Sequence, residues 1–128
     1  MHVAFLVIAH APYLRRAGRL PAGEDELHAL IAQGVLPLVE MLSDLHGAGL
    51  APRVALACSP LLAEQLADPV VQKHFVLWME DLLERRKVAL RAAEAAGDGH
   101  AAYLEGFYQE WGRQRLHAFT ERFGRNLP

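Results

Sequence analysis

Two short apolar runs, separated by one amphipathic segment, form the first half of the chain. Residues 3–9 are a nearly continuous run rich in Val, Phe and Ile, and residues 53–58 form a second run. Such runs are typical of parallel strands that are buried on both faces. Between them, apolar residues recur in steps of three and four from Leu27 to Leu45, which predicts a helix that begins at the acidic residues 24–26 and bends at Pro37. The order strand, helix, strand predicts one βαβ unit with parallel strands and a right-handed crossover.

The second half of the chain is predicted to be helical. Ser59 is a typical N-cap residue and Pro60 suits the first helical position, so a helix is expected to begin there. We predict helices at about residues 60–67, 69–96 and 100–123, and no third strand. Two parallel strands do not make an independently stable sheet, and both of their edges would be open to pairing. Either another chain completes the sheet, or this chain is the first part of a longer α/β domain.

Two apolar stripes mark the long helices predicted in this second half. The first stripe comprises Phe75, Trp78, Met79, Leu82 and Ala89. The second stripe shifts near Gly112 and comprises Leu104, Phe107, Tyr108, Trp111, Leu116, Phe119 and Phe123. Apolar residues at helical spacing are typical of helix faces that pack against other elements.

Composition and charge narrow the class of protein. The 128 residues are 52% hydrophobic and 22% charged, which is typical of a compact globular domain. Lys and Arg number 13 against 15 Asp and Glu, so nothing favours nucleic acid or an anionic lipid surface as a partner. The apolar run at residues 3–9 is too short to span a membrane. The lone Cys58 cannot form an internal disulfide, so we predict a small buried thiol and a cytoplasmic protein.

The carboxyl ends of the two predicted strands are the expected place for a binding site. Parallel strands end at the same edge of a sheet, and ligands of α/β folds gather there. His10 follows the first strand and can hydrogen-bond a ligand or exchange a proton, although a loop histidine held by local backbone bonds is the alternative. Tyr13 on the same loop can hydrogen-bond or stack on a sugar, or simply pack. The basic residues Arg15, Arg16 and Arg19 are expected to form a solvated loop, with contact to a polar ligand as the alternative.

Other catalytic chemistry has little support in the sequence. Nearly all carboxylates fall on predicted helices and none lies at a strand end. The pairs Asp81 with Arg85 and Glu84 with Lys87 have the spacing of a solvated helix face. The histidines show no metal-binding spacing, and no glycine-rich phosphate loop occurs, so neither a metal nor a cofactor is predicted.

Several segments, in order along the chain, resemble the 1,4-α-glucan branching enzymes of glycoside hydrolase family 57. Residues 5–15 read FLVIAHAPYLR and resemble the motif in which a strand leads into His-Ala-His-Leu-Pro-Tyr. Pro37 and Leu38 resemble the family's helix with the sequence PLL. Residues 59–69 read SPLLAEQLADP and are similar to the segment after the second strand. Residues 119–127 are similar to the segment that leads into the next strand.

This resemblance implies both a fold and a reaction. The family has a seven-stranded β/α barrel, acts on α-1,4-glucans with retention, and uses a Glu nucleophile and an Asp acid/base that lie beyond position 128. The chain would then be an α/β protein: residues 1–128 form the N-terminal part of the catalytic barrel, with its first βαβ unit and long helices, an incomplete barrel and no complete second domain. Retaining transfer needs two carboxyl groups about 5 to 5.5 Å apart, and no such pair can be named here. We therefore expect no catalysis by the chain alone.

The resemblance also implies roles for individual residues. His10 matches the second histidine of the family's His-x-His-x-Pro motif and would hydrogen-bond the sugar at the cleavage site, while Tyr13 would shape the subsite. The first histidine is replaced by Ile8, so one polar contact worth about 0.5 to 1.5 kcal/mol is lost. No cofactor or metal is implied, and the partner in the full-length protein would be an α-glucan.

Two other functions are compatible with the sequence. One is a stand-alone, non-catalytic helical module that pairs with another chain through Trp111, Phe119 and Phe123, or self-associates through its open strand edges. The other is a sugar-binding relic that has lost turnover. In-frame sequence downstream with further strands would favour the enzyme fragment.

Overall fold

The computed structural model describes residues 5–15, 23–51, 53–125 and 127. The regular elements, in chain order, are β1 (Phe5–Ala9), α1 (Glu24–Leu30), a π-helical turn (Ile31–Val35), α2 (Leu36–Gly47), β2 (Val54–Cys58), α3 (Pro60–Ala67), α4 (Pro69–Ala95), α5 (Gly99–His117) and a second π-helical turn (Ala118–Arg122). Both predicted strands and all predicted helices are confirmed, and their described bounds agree within two residues when the second π-helical turn is counted with α5. Residues 3 and 4 of the first predicted strand lie outside the described residues.

The two strands form a parallel sheet. Phe5 lies opposite Val54 and Ala9 lies opposite Cys58, so the strands are paired over their full described length. The order β1, helices, β2 confirms the predicted βαβ unit, while the hand of its crossover stays a prediction. Within the described residues the sheet has two strands.

The sheet is exposed, which contradicts the prediction that both of its faces are buried. Phe5, the first residue of β1, is 66% exposed, and Ile8, near its end, is 70% exposed, although both have large apolar side chains. The predicted burial of the Cys58 thiol is also wrong, since Cys58 is exposed. An apolar sequence predicts that a strand is buried but does not say which element buries it. No element of the described residues packs over the faces of these two strands.

The helices between the strands begin and change geometry where the sequence predicts. Glu24, Asp25 and Glu26 lie in the first turn of α1, where negative charge stabilises the helix dipole. The amide of Leu36 donates to the carbonyl of Ile31, five residues earlier, immediately before Pro37. Proline has no amide hydrogen, and its ring crowds the preceding helical turn. A widened turn thus precedes this proline, while the bend of the helix at Pro37 stays a prediction.

Capping residues define the start of α3 and α4. The hydroxyl oxygen of Ser59 accepts a hydrogen bond from the amide of Leu62 at 3.3 Å, and Pro60 occupies the first helical position, as predicted. The Asp68 carboxylate accepts a hydrogen bond from the amide of Val70 at 2.8 Å at the start of α4. Ser59 thus begins α3 directly after β2, and Asp68 is the single residue between α3 and α4.

The chain divides into two compact units, residues 1–72 with 126–128, and residues 73–125. In the second unit, Phe75 and Met79 of α4 are fully buried, and the ring of Phe119 meets that of Phe75 edge-on with centroids 4.7 Å apart. The predicted first stripe is therefore buried in the core at Phe75 and Met79. The second stripe is buried only in part, because Leu104, Phe107 and Tyr108 are exposed.

Gly112 allows close approach between α5 and a side chain of α4. A Cβ atom at Gly112 would lie 2.9 Å from Cδ2 of Leu83, which is closer than van der Waals contact permits. Gly106, one and a half turns earlier on the same helix, has nothing within 4 Å of the equivalent position. The two glycines are thus in contrasting surroundings on one helix.

We predict that alanine stabilises the protein more at Gly106 than at Gly112. Gly106→Ala raises the free energy of unfolding by up to about 1 kcal/mol, because alanine has the higher helix propensity. Gly112→Ala gains less than this or loses stability, because the Leu83 side chain must shift to make room for the added methyl group. Urea unfolding followed by circular dichroism at 222 nm measures both. Equal stabilisation by the two substitutions would show that Leu83 does not restrict Gly112.

Candidate functional site

The carboxyl ends of β1 and β2 lie side by side, as predicted. The amide of Ser59 donates to the carbonyl of Ala9 at 3.0 Å, which continues the pairing one residue past β2. The residues that follow the two strands, His10 and Ser59, therefore start from neighbouring points on the same edge of the sheet. This is the edge at which parallel α/β folds bind ligands.

The loop after β1 holds its two candidate residues at the surface. His10 is exposed and Tyr13 is 56% exposed. Ala11 and Leu14, which alternate with them, are buried. The loop is thus anchored by its apolar side chains while the imidazole and the phenol remain accessible to a ligand. Their predicted role in sugar binding stays a prediction at this point.

A buried glutamine, which the sequence analysis missed, holds this loop. Gln65 of α3 is 1% exposed. Its Oε1 accepts from the amides of Leu14 at 2.7 Å and Arg15 at 3.2 Å. Its Nε2 donates to the carbonyls of Pro12 at 3.0 Å and Leu61 at 3.2 Å. The side-chain amide therefore uses both acceptor and both donor positions, and three of the four bonds fix the loop.

A signal for Gln65 exists in the sequence. The residue lies between Leu62 and Leu66, which are both buried on one face of α3. A polar residue at helical spacing within an apolar face needs hydrogen-bond partners, because burying an unpaired amide is costly. The partners lie about 50 residues away in the chain, so the sequence alone does not identify them.

Arg15 is not a solvated loop residue, contrary to the prediction. Its guanidinium forms an ion pair with the carboxylate of Asp68, and both side chains are largely buried. The same carboxylate caps α4 through its other oxygen. Asp68 therefore ties Arg15, the last described residue before position 23, to the junction of α3 and α4. Arg16 and Arg19, the other members of the predicted basic loop, lie outside the described residues.

The charged pairs on α4 are surface features, as predicted. The guanidinium of Arg85 lies 3.1 Å from a carboxylate oxygen of Asp81, and the ammonium of Lys87 lies 3.3 Å from a carboxylate oxygen of Glu84. All four side chains are substantially exposed. Such pairs contribute little to stability. They form a solvated helix face and offer no enclosed site for chemistry.

The part of the chain that the structure describes offers neither a metal site nor a membrane span. There, no three His, Cys, Asp or Glu side chains are grouped so that they could hold a metal ion. None of the helices in that part is long and apolar enough to cross a bilayer.

The interface proposed for a stand-alone module is wrong in one of its three residues. Phe119 is 1% exposed and belongs to the core of the second unit, where it contacts Phe75. Trp111 is half-buried beneath the guanidinium of Arg115, which lies 6.0 Å from the ring centroid. The aromatic residues that α5 exposes are Tyr103, Phe107 and Tyr108.

No protein-family model matches the chain, whereas individual curated proteins do. A 1,4-alpha-glucan branching enzyme of Thermococcus kodakarensis is 28% identical over 113 residues, which is 86% of this chain and 17% of that protein. A probable 1,4-alpha-glucan branching enzyme of Mycobacterium tuberculosis is 32% identical over 92 residues, which is 72% of this chain and 16% of that protein. The chain thus spans about a sixth of the length of these relatives.

Solved structures give a longer match. The GH57-type branching enzyme of Pyrococcus horikoshii superposes with a TM-score of 0.87 and 25% identity, covering 97% of this chain and 23% of that chain. A GH57 branching enzyme of Thermococcus kodakaraensis, solved in complex with glucose, has the same fold with a TM-score of 0.76 and 23% identity, covering 97% of this chain and 22% of that chain.

Sequence and structure therefore agree on one group of proteins. The curated relatives are named as branching enzymes, and the structural match covers 97% of the chain. Over nearly its whole length, the chain resembles one part of the 1,4-α-glucan branching enzymes of glycoside hydrolase family 57.

Proposed function

We propose that this chain is the N-terminal segment of a protein that transfers α-glucan chains, and that it supplies part of the glucan-binding site. One observation carries the proposal: the fold matches a GH57-type branching enzyme with a TM-score of 0.87 over 97% of the chain. The accessible loop at the carboxyl ends of the strands adds local support, because it lies where such folds bind their ligands.

His10 and Tyr13 are the residues that we assign to the sugar. The exposed imidazole of His10 can donate to or accept from a sugar hydroxyl. The exposed ring of Tyr13, three residues later on the same loop, offers a flat face and a hydroxyl to a neighbouring part of the glucan. Ile8 offers no hydrogen bond where the family has its first histidine, so this segment contributes one polar contact fewer.

The groups that break the glycosidic bond come from outside this segment. Retaining transfer needs a nucleophilic carboxylate and a carboxylic acid about 5 to 5.5 Å apart at the site. All 15 Asp and Glu residues of the chain lie on helices, in a π-helical turn or at helix caps, and none follows a strand at the site edge. The isolated chain is therefore expected to bind glucan without turning it over.

Further strands would complete the sheet in the whole protein. The apolar residues of β1 and β2 are exposed in this chain, and large exposed apolar patches mark surfaces that something covers. We propose that they are the first two strands of a seven-stranded β/α barrel. The lone Cys58 fits a reducing compartment, and we place the protein in the cytoplasm as an enzyme of glycogen synthesis.

The role of His10 is tested by sugar binding. We expect the chain to bind maltoheptaose weakly, and His10→Ala to weaken binding about three- to tenfold, which is the contribution of one hydrogen bond. Saturation-transfer NMR titration measures both affinities. The control is His100→Ala, which removes an exposed histidine at the start of α5. Equal binding by the His10→Ala variant and the unmodified chain would remove His10 from the site.

The exposed sheet is tested by the size of the chain in solution. We expect concentration-dependent association without a fixed stoichiometry, measured by size exclusion with light scattering, and loss of association in the double variant Leu6→Lys, Ile8→Lys. The control, Leu77→Lys, places a lysine at an exposed apolar position of α4. A defined oligomer that unfolds cooperatively in urea would instead support the stand-alone interaction module.

A further inference from the structure

We propose that Gln65 is a positioning residue for glucan recognition: it contacts no sugar, and it sets the direction in which the loop presents Tyr13 and His10. This inference rests on the proposed function, because it concerns the same site. It adds a residue of α3 to a site that the sequence places only on the loop after β1.

The hydrogen bonds of Gln65 lie on both sides of Tyr13. On one side, Nε2 donates to the carbonyl of Pro12 at 3.0 Å. On the other side, Oε1 accepts from the amides of Leu14 at 2.7 Å and Arg15 at 3.2 Å. The peptide groups before and after Tyr13 are therefore held by one side chain, and the direction of the Tyr13 side chain follows from them.

His10 is held from two directions by the same arrangement. The carbonyl of Ala9, just before it, accepts from the amide of Ser59 at 3.0 Å. Pro12, two residues later, has a fixed φ angle and is bound to Gln65. Only Ala11 lies between, and it is buried. The imidazole thus projects from a short segment whose two ends are fixed.

Only a side-chain amide of this length fits the polar groups around it. The surroundings present two amide donors and two carbonyl acceptors, and glutamine offers two acceptor and two donor positions. A carboxylate would face the carbonyls of Pro12 and Leu61 with a second acceptor. An apolar side chain would leave the loop groups without partners in a buried place, which is costly.

The loop has no regular secondary structure that could replace these bonds. Residues 10–14 lie outside helices and strands, so their peptide groups depend on other partners. Arg15 has a second anchor in its ion pair with Asp68, but this acts through its side chain, two residues after Tyr13. Loss of Gln65 would therefore free the part of the loop that carries Tyr13 while Arg15 stays attached.

The test compares Gln65→Met with Gln72→Met, which keep the length of the side chain and remove its polar atoms. Gln72 is a suitable control because its Nε2 donates to the carbonyl of Leu66 at 3.0 Å, in the same unit and away from the loop. Amide hydrogen exchange by NMR and affinity for maltoheptaose are measured for both variants and for the unmodified chain.

We expect Gln65→Met to accelerate exchange at Leu14 and Arg15 at least about tenfold, and to weaken maltoheptaose binding at least as much as His10→Ala does. Gln72→Met should change neither. Unchanged exchange at Leu14 and Arg15 would overturn the anchoring of the loop. Faster exchange with unchanged affinity would overturn the positioning role.

A second measurement needs no substitution, in case Gln65→Met does not fold. In the unmodified chain, saturating maltoheptaose should slow exchange at Leu14 and Arg15 relative to the amides of α5, because the sugar binds the anchored form of the loop. No such slowing in a chain that binds the sugar would contradict the inference. A chain that binds no sugar would overturn the proposed function and the glucan role together, while exchange in the variant still decides whether Gln65 holds the loop.

Discussion

Parallel pairing of β1 with β2 is the constraint on which the rest of the first unit depends. Because the strands run in the same direction, both of their carboxyl ends lie at one edge, and the chain must return along the helices between them. The loop after β1 and the cap of α3 thereby become neighbours. α3 then brings Gln65 against that loop, so the site depends on a pairing that lies outside it.

The same pairing leaves the molecule with apolar surface that its described residues do not cover. Hydrogen bonds between two strands contribute little unless side chains on their faces are also buried. In this chain the polar contacts at the strand ends are complete, whereas the faces of the strands are exposed. The loop is therefore held by polar contacts within the described residues, whereas the faces of the sheet that positions it are not covered by them.

Much of the local structure could be predicted because its causes are local. Ser59 and Pro60 determine the start of α3, and Pro37 determines where the preceding helix widens. The exposure of Phe5 and Ile8 could not be predicted. Apolar residues predict that a strand is buried, but they do not identify the element that buries it.

Long-range contacts set a second limit on prediction. The loop partners of Gln65 lie about 50 residues earlier in the chain, and no periodicity connects them. Likewise, Phe107 and Phe119 belong to one predicted stripe, but Phe119 is buried against Phe75 of another helix, whereas Phe107 is exposed and meets the ring of its chain neighbour Tyr108. The candidate site could be located at the strand ends from the sequence, together with His10 and Tyr13. Its support from α3 required the fold.

Asp68 has consequences for which sequences this fold can adopt. One carboxylate oxygen caps α4 at Val70 and the other pairs with Arg15, so two structural requirements act on one residue. Asparagine would keep the cap and lose the ion pair, and glutamate would keep the charge and cap poorly. Such a position is restricted in its evolution, because a change that satisfies one requirement violates the other. The neighbouring solvent-facing positions of α4 are under no such double restriction.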